Sequence, residues 1–297
     1  MLFKRQRVLL TLLDALEGTA KHTDFQKLLF LYSQECEDVP SYDFVPYRFG
    51  GFSFTSYADK RKLVAKGLLD EDDQHWTLTD AGRKAARSQA VEPLRAVAFC
   101  RRYNKLRGHA LIAEQYRRFP YYASRSELLG KLDLAPEEIA KIADAKPKRQ
   151  PAGILTIGYE GRSLENYLNS LLCAGVTILC DVRRNPLSRK YGFSKGTLSK
   201  ACEGVGIRYV HIPELGIASE SRQELTTQAD YDALFATYEQ TTLPHQTAAL
   251  EKILGWISDD DRVALTCYEQ LPQQCHRTRV ANALERATTL QQRVQHL

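Results

Sequence analysis

The spacing of apolar residues separates a helical first half of the chain from an alternating second half. Before residue 143, apolar positions recur every three or four residues, as in Leu9, Leu13 and Leu16, which predicts helices with one buried face. After residue 153 the period changes, and short apolar runs predict strands at 154–159, 177–183, 207–212 and 262–269. Amphipathic stretches separate these runs. Strands that alternate with helices are typical of a parallel sheet covered by helices on both faces.

The N-terminal half combines helices with a loop rich in glycine and proline. In residues 39–54, two prolines and the pair Gly50–Gly51 exclude a continuous helix. A helix stopped by Gly67, a short polar turn, and a helix from about Asp80 come next. This order is typical of a winged helix, a module that commonly places its second helix in the major groove of DNA.

A change of composition marks the boundary between the two halves. The segment 143–153, ADAKPKRQPAG, has the prolines and basic residues of a linker. We predict a mainly α-helical, winged-helix-like domain followed by a Rossmann-like α/β domain with a mostly parallel sheet. The predicted boundaries are 1–92 for the winged-helix-like domain, 93–145 for a basic helical extension, 146–152 for the linker and 153–297 for the α/β domain.

Composition and charge narrow the class of protein. The formal net charge is +5, and no apolar run approaches the ~18 residues of a membrane helix. Asp14 and Glu17 interrupt the leucine-rich start, so we expect a non-secreted, cytoplasmic protein without a membrane segment. Seven scattered cysteines predict free thiols. No CxxC, P-loop or GxGxxG occurs, so we expect neither a metal nor a cofactor; the oligomeric state stays open.

A basic stretch with tyrosines precedes the linker. Residues 95–118 contain six arginines and Lys105 against one carboxylate, with Tyr103 and Tyr116 between the arginines. Such a surface suits a nucleic-acid backbone with stacked bases, whereas a solvated helix face is the alternative. We assign contacts with double-stranded DNA to Arg101, Arg102, Lys105, Arg107, Arg117 and Arg118.

Polar residues follow the predicted strands, at the edge where parallel sheets hold ligands. Asp181 and Glu269 end two of these strands. Paired carboxylates suit cleavage through an oxocarbenium-like state, in which one stabilises the sugar carbon and the other activates water or protonates the leaving group. Neighbouring arginines suit phosphate. We assign catalysis to Asp181 and Glu269, and substrate or phosphate contacts to Tyr159, Arg183, Arg184, Ser188, His276 and Arg277.

Structural alternatives exist for the same residues. Asp181 could form a salt bridge with Arg183, and Glu269 could cap the last helix. Cys275 at a helix start could be a nucleophile, although the adjacent His276 points elsewhere. The spacing of Cys267, Cys275 and His276 is unorthodox for a metal site.

Motifs at the strand ends resemble a known family. The sequences IGYEGRSLENYL, CDVRRNPLSRKYGFSK, YVHIPELG and CYEQLPQQCHR, over about 154–285, are similar to those of the domain-of-unknown-function 488 family. Tyr159 stands where many members carry histidine, so we assign it a substrate contact. Members are often found near nucleic-acid modification and defence functions, so the resemblance implies a nucleic-acid or nucleotide substrate.

The N-terminal half carries a second resemblance. FQKLLFLY, FVPYRFGGFSF, LVAKGLL and WTLTDAGR, over roughly residues 20–90, are similar to segments of bacterial proteins related to the Panacea, or SocA-like, antitoxin-associated domain. A winged helix can also bind proteins, so this resemblance by itself does not establish DNA binding.

The favoured hypothesis is a DNA glycosylase that hydrolyses the N-glycosidic bond of a modified base in foreign or phage DNA. Such an enzyme must flip the target nucleotide out of the duplex. A non-catalytic regulator that binds DNA or a nucleotide is the alternative, and cysteine-based redox or transferase chemistry is a third hypothesis.

Overall fold

The chain forms two compact units. A computed structural model describes residues 1–70, 72–218, 225–287 and 293–297. The units are Met1–Lys146 and Pro147–Leu297. The finer predicted boundaries, with a basic extension over 93–145 and a linker over 146–152, stay predictions.

The N-terminal unit is mainly helical and contains two small antiparallel sheets. Its strands are β1 (Thr19–Lys21), β2 (Val45–Tyr47), β3 (Gly50–Phe52) and β4 (His75–Thr77), with β1 paired to β4 and β2 to β3. Its helices are α1 (Lys4–Ala15), α2 (His22–Glu35), α3 (Phe54–Ala65), α4 (Asp80–Ser88), α5 (Pro93–Arg102), α6 (Gly108–Arg118), α7 (Pro120–Ala123) and α8 (Pro136–Asp144). The winged-helix identity of this unit stays a prediction.

The core of the N-terminal unit is formed by the residues that the apolar periodicity predicts to be buried. Leu9 and Leu13 of α1 are fully buried, as is Phe25 of α2. Trp76 of β4 packs against Phe25 with their ring centroids 4.7 Å apart. Burial of these large side chains is the main stabilising contribution to the unit.

The C-terminal unit is built on a five-stranded parallel sheet, which confirms the predicted α/β class and strand direction. The strands are β5 (Gly153–Gly158), β6 (Ile178–Asp181), β7 (Arg208–His211), β8 (Arg262–Cys267) and β9 (Gln295–His296), in the spatial order β7-β6-β8-β5-β9. The helices are α9 (Leu164–Cys173), α10 (Lys195–Gly204), α11 (Gln228–Thr237), α12 (Thr247–Ser258) and α13 (His276–Ala287).

Helices cover both faces of this sheet. Leu265 of β8 belongs to a core shared with α11, α12 and α13. The next residue, Thr266, accepts a hydrogen bond from the Tyr167 hydroxyl of α9 at 2.7 Å, on the opposite face. No helix in the described part of the chain is long and apolar enough to cross a membrane.

Three strand ends meet at one edge of the sheet. Strand β8 lies between β5 and β6, with Gly158 opposite Cys267 and Asp181 opposite Thr266. Because all these strands run in parallel, their carboxyl ends, and the loops that follow, share the edge where α/β proteins bind ligands.

Candidate active site

A cavity of about 340 Å³ opens at this edge. It lies beyond the ends of β5, β6 and β8. Most of the side chains predicted to act on the substrate line it: Tyr159, Arg183, Arg184, Ser188, Glu269 and His276. Asp181 and Arg277 are not among its lining residues. Asn185, Arg189 and Tyr268 also line the cavity, although sequence reasoning does not select them; their nearness to predicted strand ends is the available signal.

Asp181 lies beneath the cavity in a buried ion pair. Its Oδ1 accepts hydrogen bonds from the Arg183 backbone N–H at 3.1 Å and from Nε at 2.8 Å. Its Oδ2 accepts from Arg183 Nη2 at 2.5 Å and from the Tyr209 hydroxyl at 2.6 Å. Both oxygens are therefore occupied by donors of the protein. The predicted catalytic role of Asp181 stays a prediction, but these contacts favour the salt-bridge alternative.

The guanidinium of Arg183 fixes one wall of the cavity. Burial alone would lower the pKa of Arg183, but the hydrogen bonds and charge of Asp181 raise it above its usual value. Its Nη1 donates to the Tyr159 hydroxyl and to the Phe193 carbonyl, both at 2.9 Å. Tyr159 stacks on Phe193 with ring centroids 4.4 Å apart. With its nitrogens so engaged, Arg183 holds Tyr159 in the cavity wall, whereas Arg184 and Arg189 are exposed.

Ser188 orders the segment that carries Arg189. Its hydroxyl accepts a hydrogen bond from the Lys190 backbone N–H at 3.1 Å, and its backbone N–H donates to the Ser194 hydroxyl at 3.1 Å. These bonds brace the polar stretch between β6 and α10. The predicted substrate contact of Ser188 stays a prediction.

Glu269 lies on the loop between β8 and α13, half-buried at the cavity wall. Its Oε2 accepts a hydrogen bond from the Cys267 thiol at 3.2 Å. The fully buried Arg277 holds the same loop: Nη1 donates to the Glu269 carbonyl at 2.5 Å and Nη2 to the Gln270 carbonyl at 3.1 Å. The predicted phosphate contact of Arg277 stays a prediction, and these hydrogen bonds favour a role in positioning the Glu269 loop.

The backbone of the Glu269 loop lies directly against the end of β5. A Cβ atom added at Gly158 would lie 1.8 Å from the Glu269 carbonyl oxygen. Only glycine permits an approach this close, so Gly158 and Arg277 together fix the position of Glu269.

Two thiols and an imidazole converge next to Glu269. Cys267, Cys275 and His276 are all buried, and their candidate ligand atoms lie within 4.8 Å of one another. His276 Nε2 lies 2.9 Å from the Val182 carbonyl, so this nitrogen donates and Nδ1 faces the Cys267 sulfur at 3.8 Å. The three residues have an unorthodox sequence spacing for a metal site because they come together only where the end of β8 meets the start of α13.

Half of the cations predicted to contact DNA form ion pairs within the N-terminal unit. Arg102 and Arg118 both pair with Glu35, and Arg117 pairs with Glu138 at 2.8 Å. Arg107 donates to backbone carbonyls. Within the described residues, the exposed Arg101 and Lys105 form no ion pair. The six DNA contacts stay predictions.

The tyrosines of this stretch do not form a stacking surface. Tyr103 is 4% exposed and Tyr116 is fully buried. Their rings belong to the core of the helical unit, where helix periodicity places them. This corrects the expectation that both alternate with arginines on a surface that stacks on bases.

Comparison with known proteins supports the resemblance of the C-terminal domain. Residues 163–284 match a family described as Domain of unknown function DUF488. This range contains Asp181, Glu269 and the Cys267, Cys275 and His276 cluster. No curated protein and no solved structure matches the chain. The second resemblance, of the N-terminal half to the Panacea, or SocA-like, domain, stays a prediction.

Proposed function

We propose that the cavity is an active site that hydrolyses the N-glycosidic bond of a nucleotide in DNA, with Glu269 as its acid–base group. One observation carries the proposal: Glu269 is the one carboxylate among the described residues lining the cavity, and Arg184 and Arg189 line it too. A carboxylate beside cations suits a substrate that contains both a reactive sugar and a phosphate.

The size of the cavity favours a single nucleotide. Small-molecule sites usually measure roughly 300–1,000 Å³, and this one is about 340 Å³. A duplex is far wider, so a DNA substrate would enter as one nucleotide flipped from the stack. Tyr159 and Tyr268, which also line the cavity, offer aromatic surface to a base.

The burial of Asp181 changes the proposed mechanism from two carboxylates to one. Glu269 takes a proton from water as the water oxygen attacks the anomeric carbon. The C–N bond breaks, its electron pair leaves with the base, and the base takes up a proton from solvent, to which Glu269 returns the proton that it accepted. Asp181 acts through Arg183 by holding Tyr159 in the cavity wall.

In the same proposal the N-terminal unit holds DNA through a winged-helix-like surface. The exposed cations Arg101 and Lys105, in the basic stretch that follows this module, support DNA binding. Contacts of this kind with phosphates predict an affinity for duplex DNA that falls steeply as salt increases.

Abasic-site formation tests the proposed chemistry. The full chain is incubated with duplex DNA from phages that carry modified bases, and abasic sites are counted with an aldehyde-reactive probe. Glu269→Gln should lower the rate about 100-fold or more, as expected for loss of a general acid–base group. The matched control is Glu203→Gln on α10, an exposed carboxylate that accepts a local hydrogen bond from Ser199; it should retain the wild-type rate.

Two outcomes would contradict the proposal. Equal rates for wild type and Glu269→Gln would remove Glu269 from the mechanism. Binding of modified DNA without product from any substrate would favour a non-catalytic sensor.

A further inference from the structure

We propose that Cys267, Cys275 and His276 bind a zinc ion in the floor of the cavity, with a fourth coordination position open toward Glu269. This inference goes beyond the proposed function, because it holds whichever bond the site cleaves.

The donor atoms have the chemistry and spacing that zinc requires. Zinc binds thiolate sulfur at about 2.3 Å and imidazole nitrogen at about 2.0–2.1 Å, so neighbouring ligands on a tetrahedral ion lie roughly 3.5–3.8 Å apart. Cys267 Sγ and His276 Nδ1 are 3.8 Å apart, and the whole set lies within 4.8 Å. Small side-chain rotations would bring all three atoms onto one ion.

The orientation of His276 is set by a contact outside the cluster. The Val182 carbonyl, 2.9 Å from Nε2, accepts a hydrogen bond from the ring N–H there and leaves the Nδ1 lone pair facing the Cys267 sulfur at 3.8 Å. Ligating histidines in metalloproteins generally have this kind of carbonyl or carboxylate partner. The cluster therefore contains the supporting contact as well as the ligands.

Regular structure holds the ligands in place. Cys267 is the last residue of β8, and His276 is the first residue of α13. Arg277 ties the start of α13 to the loop that joins these elements. Ligands on rigid elements lose little conformational freedom when the ion binds, which favours tight binding.

The cluster borders the cavity. Cys267 and His276 line it, together with Glu269, and the Glu269 Oε2 is 3.2 Å from the Cys267 sulfur. Three protein ligands and an open fourth position are typical of catalytic rather than structural zinc. Binding displaces one proton from each thiol, so the two thiolates balance the charge of the ion. A water in the fourth position would lie beside Glu269, which can accept its proton.

Metal content of the full chain tests the site directly. Protein purified in reductant without chelator should contain about one zinc per chain by inductively coupled plasma mass spectrometry. Cys275→Ser and His276→Asn should lose most of it. Cys202→Ser is the matched control, because Cys202 is an equally buried thiol outside the cluster; it should keep the wild-type zinc content. Circular dichroism shows whether each variant is folded.

Cobalt titration provides a second measurement that does not depend on the stability of a variant. Wild-type protein stripped of metal should develop the thiolate-to-cobalt absorption in the near ultraviolet, saturating at about one equivalent. A wild type with no more zinc than Cys275→Ser, and without this absorption, would overturn the proposal. A mass two hydrogens lower, without metal, would identify a Cys267–Cys275 disulfide and overturn it as well. Neither readout depends on glycosidic cleavage, so failure of one proposal is distinguishable from failure of the other.

Discussion

Arg183 is a buried cation whose charge is balanced by the carboxylate of Asp181. Asp181 supplies a hydrogen-bond acceptor to its Nε and to its Nη2. Removing both charges from water costs free energy. The hydrogen bonds and the attraction between the two side chains offset this cost. The same pair holds Tyr159, so stability and cavity shape depend on it together.

Removing the charge of Asp181 should destabilise the fold. We expect Asp181→Asn to lower the free energy of unfolding by about 3–5 kcal/mol, because Arg183 would remain buried without its counter-charge. Asp261→Asn is the control: Asp261 pairs with the exposed Arg208 at 3.0 Å, and its loss should cost about 1 kcal/mol or less. Denaturant titration measures both. Unchanged stability together with complete loss of product would instead make Asp181 a catalytic group.

A second buried ionisable group predicts that the stability of the fold depends on pH. Lys27 of α2 is buried in the N-terminal unit and donates to the Gly51 carbonyl at 2.9 Å. Burial lowers the pKa of Lys27 from 10.5 to about 7. Between these values the unfolded chain binds more protons than the folded chain, so the contribution of Lys27 makes stability rise with pH across this window, and its loss on acidification is complete at about pH 7.

Lys27→Met should flatten this rise, because the variant has no ammonium to discharge on folding. Free energies of unfolding measured at several pH values between about 7 and 10 would compare the two slopes. Lys62→Met, at an exposed lysine of α3, should keep the wild-type slope. A wild-type slope in Lys27→Met would mean that another group produces the dependence.

At the scale of elements, both proposals rest on the loop between β8 and α13. It follows Cys267 at the end of β8, contains Glu269 and Cys275, and leads into His276 at the start of α13. Its backbone is held on one side by Arg277 and on the other by the end of β5. The strand end and the loop are therefore one structural unit.

Gly158→Ala should disturb this unit. The new methyl group would collide with the Glu269 carbonyl and push the loop outward, at a cost of about 1–3 kcal/mol in stability. A displacement of about 1 Å at a reacting group can lower a rate about 100-fold. Gly196→Ala in α10 is the control, since no other described part of the chain beyond its own helix lies within 4 Å of the added Cβ; it should gain up to about 1 kcal/mol in stability. Abasic-site counts and thermal melts test both variants, and a fully active Gly158→Ala would argue against a fixed loop.

The sequence predicts these elements better than their side-chain environments. Apolar runs predict β5, β6 and β8 because buried parallel strands are largely apolar, and they also predict β7, although its residues are half-buried or exposed. Strand β9 has two exposed residues and therefore no pattern to detect. Asp181 and Glu269 both follow apolar runs in the sequence. Asp181 is the last residue of β6 and is buried, whereas Glu269 lies two residues beyond β8 and is half-buried. Such differences depend on where the hydrogen-bonded ladder stops, which apolar periodicity does not define.

At the scale of the whole molecule, each unit has its own apolar core. One core joins α1, α2 and α5 of the N-terminal unit, and another joins the sheet to α11, α12 and α13. The division after Lys146 falls in the proline-containing segment 143–153. Chain segments of this length with separate cores can generally fold alone.

Separate expression should therefore yield two folded proteins. We expect fragments Met1–Lys146 and Pro147–Leu297 each to unfold in one cooperative transition. Circular dichroism recorded during heating measures this transition. The full chain at the same concentration is the reference. A fragment with a broad, non-cooperative melt would show that its core is incomplete without the remaining residues.

The short strand β9 has a consequence for the behaviour of the C-terminal unit in solution. It pairs with Leu155 and Thr156, and the Leu297 backbone N–H donates to the Thr156 carbonyl at 2.9 Å. These bonds occupy the outer backbone groups of β5, an apolar strand that would otherwise be a template for a strand of another molecule. Removing residues 293–297 would therefore expose an unpaired strand edge. We expect the shortened protein to aggregate at concentrations where the full chain remains in solution.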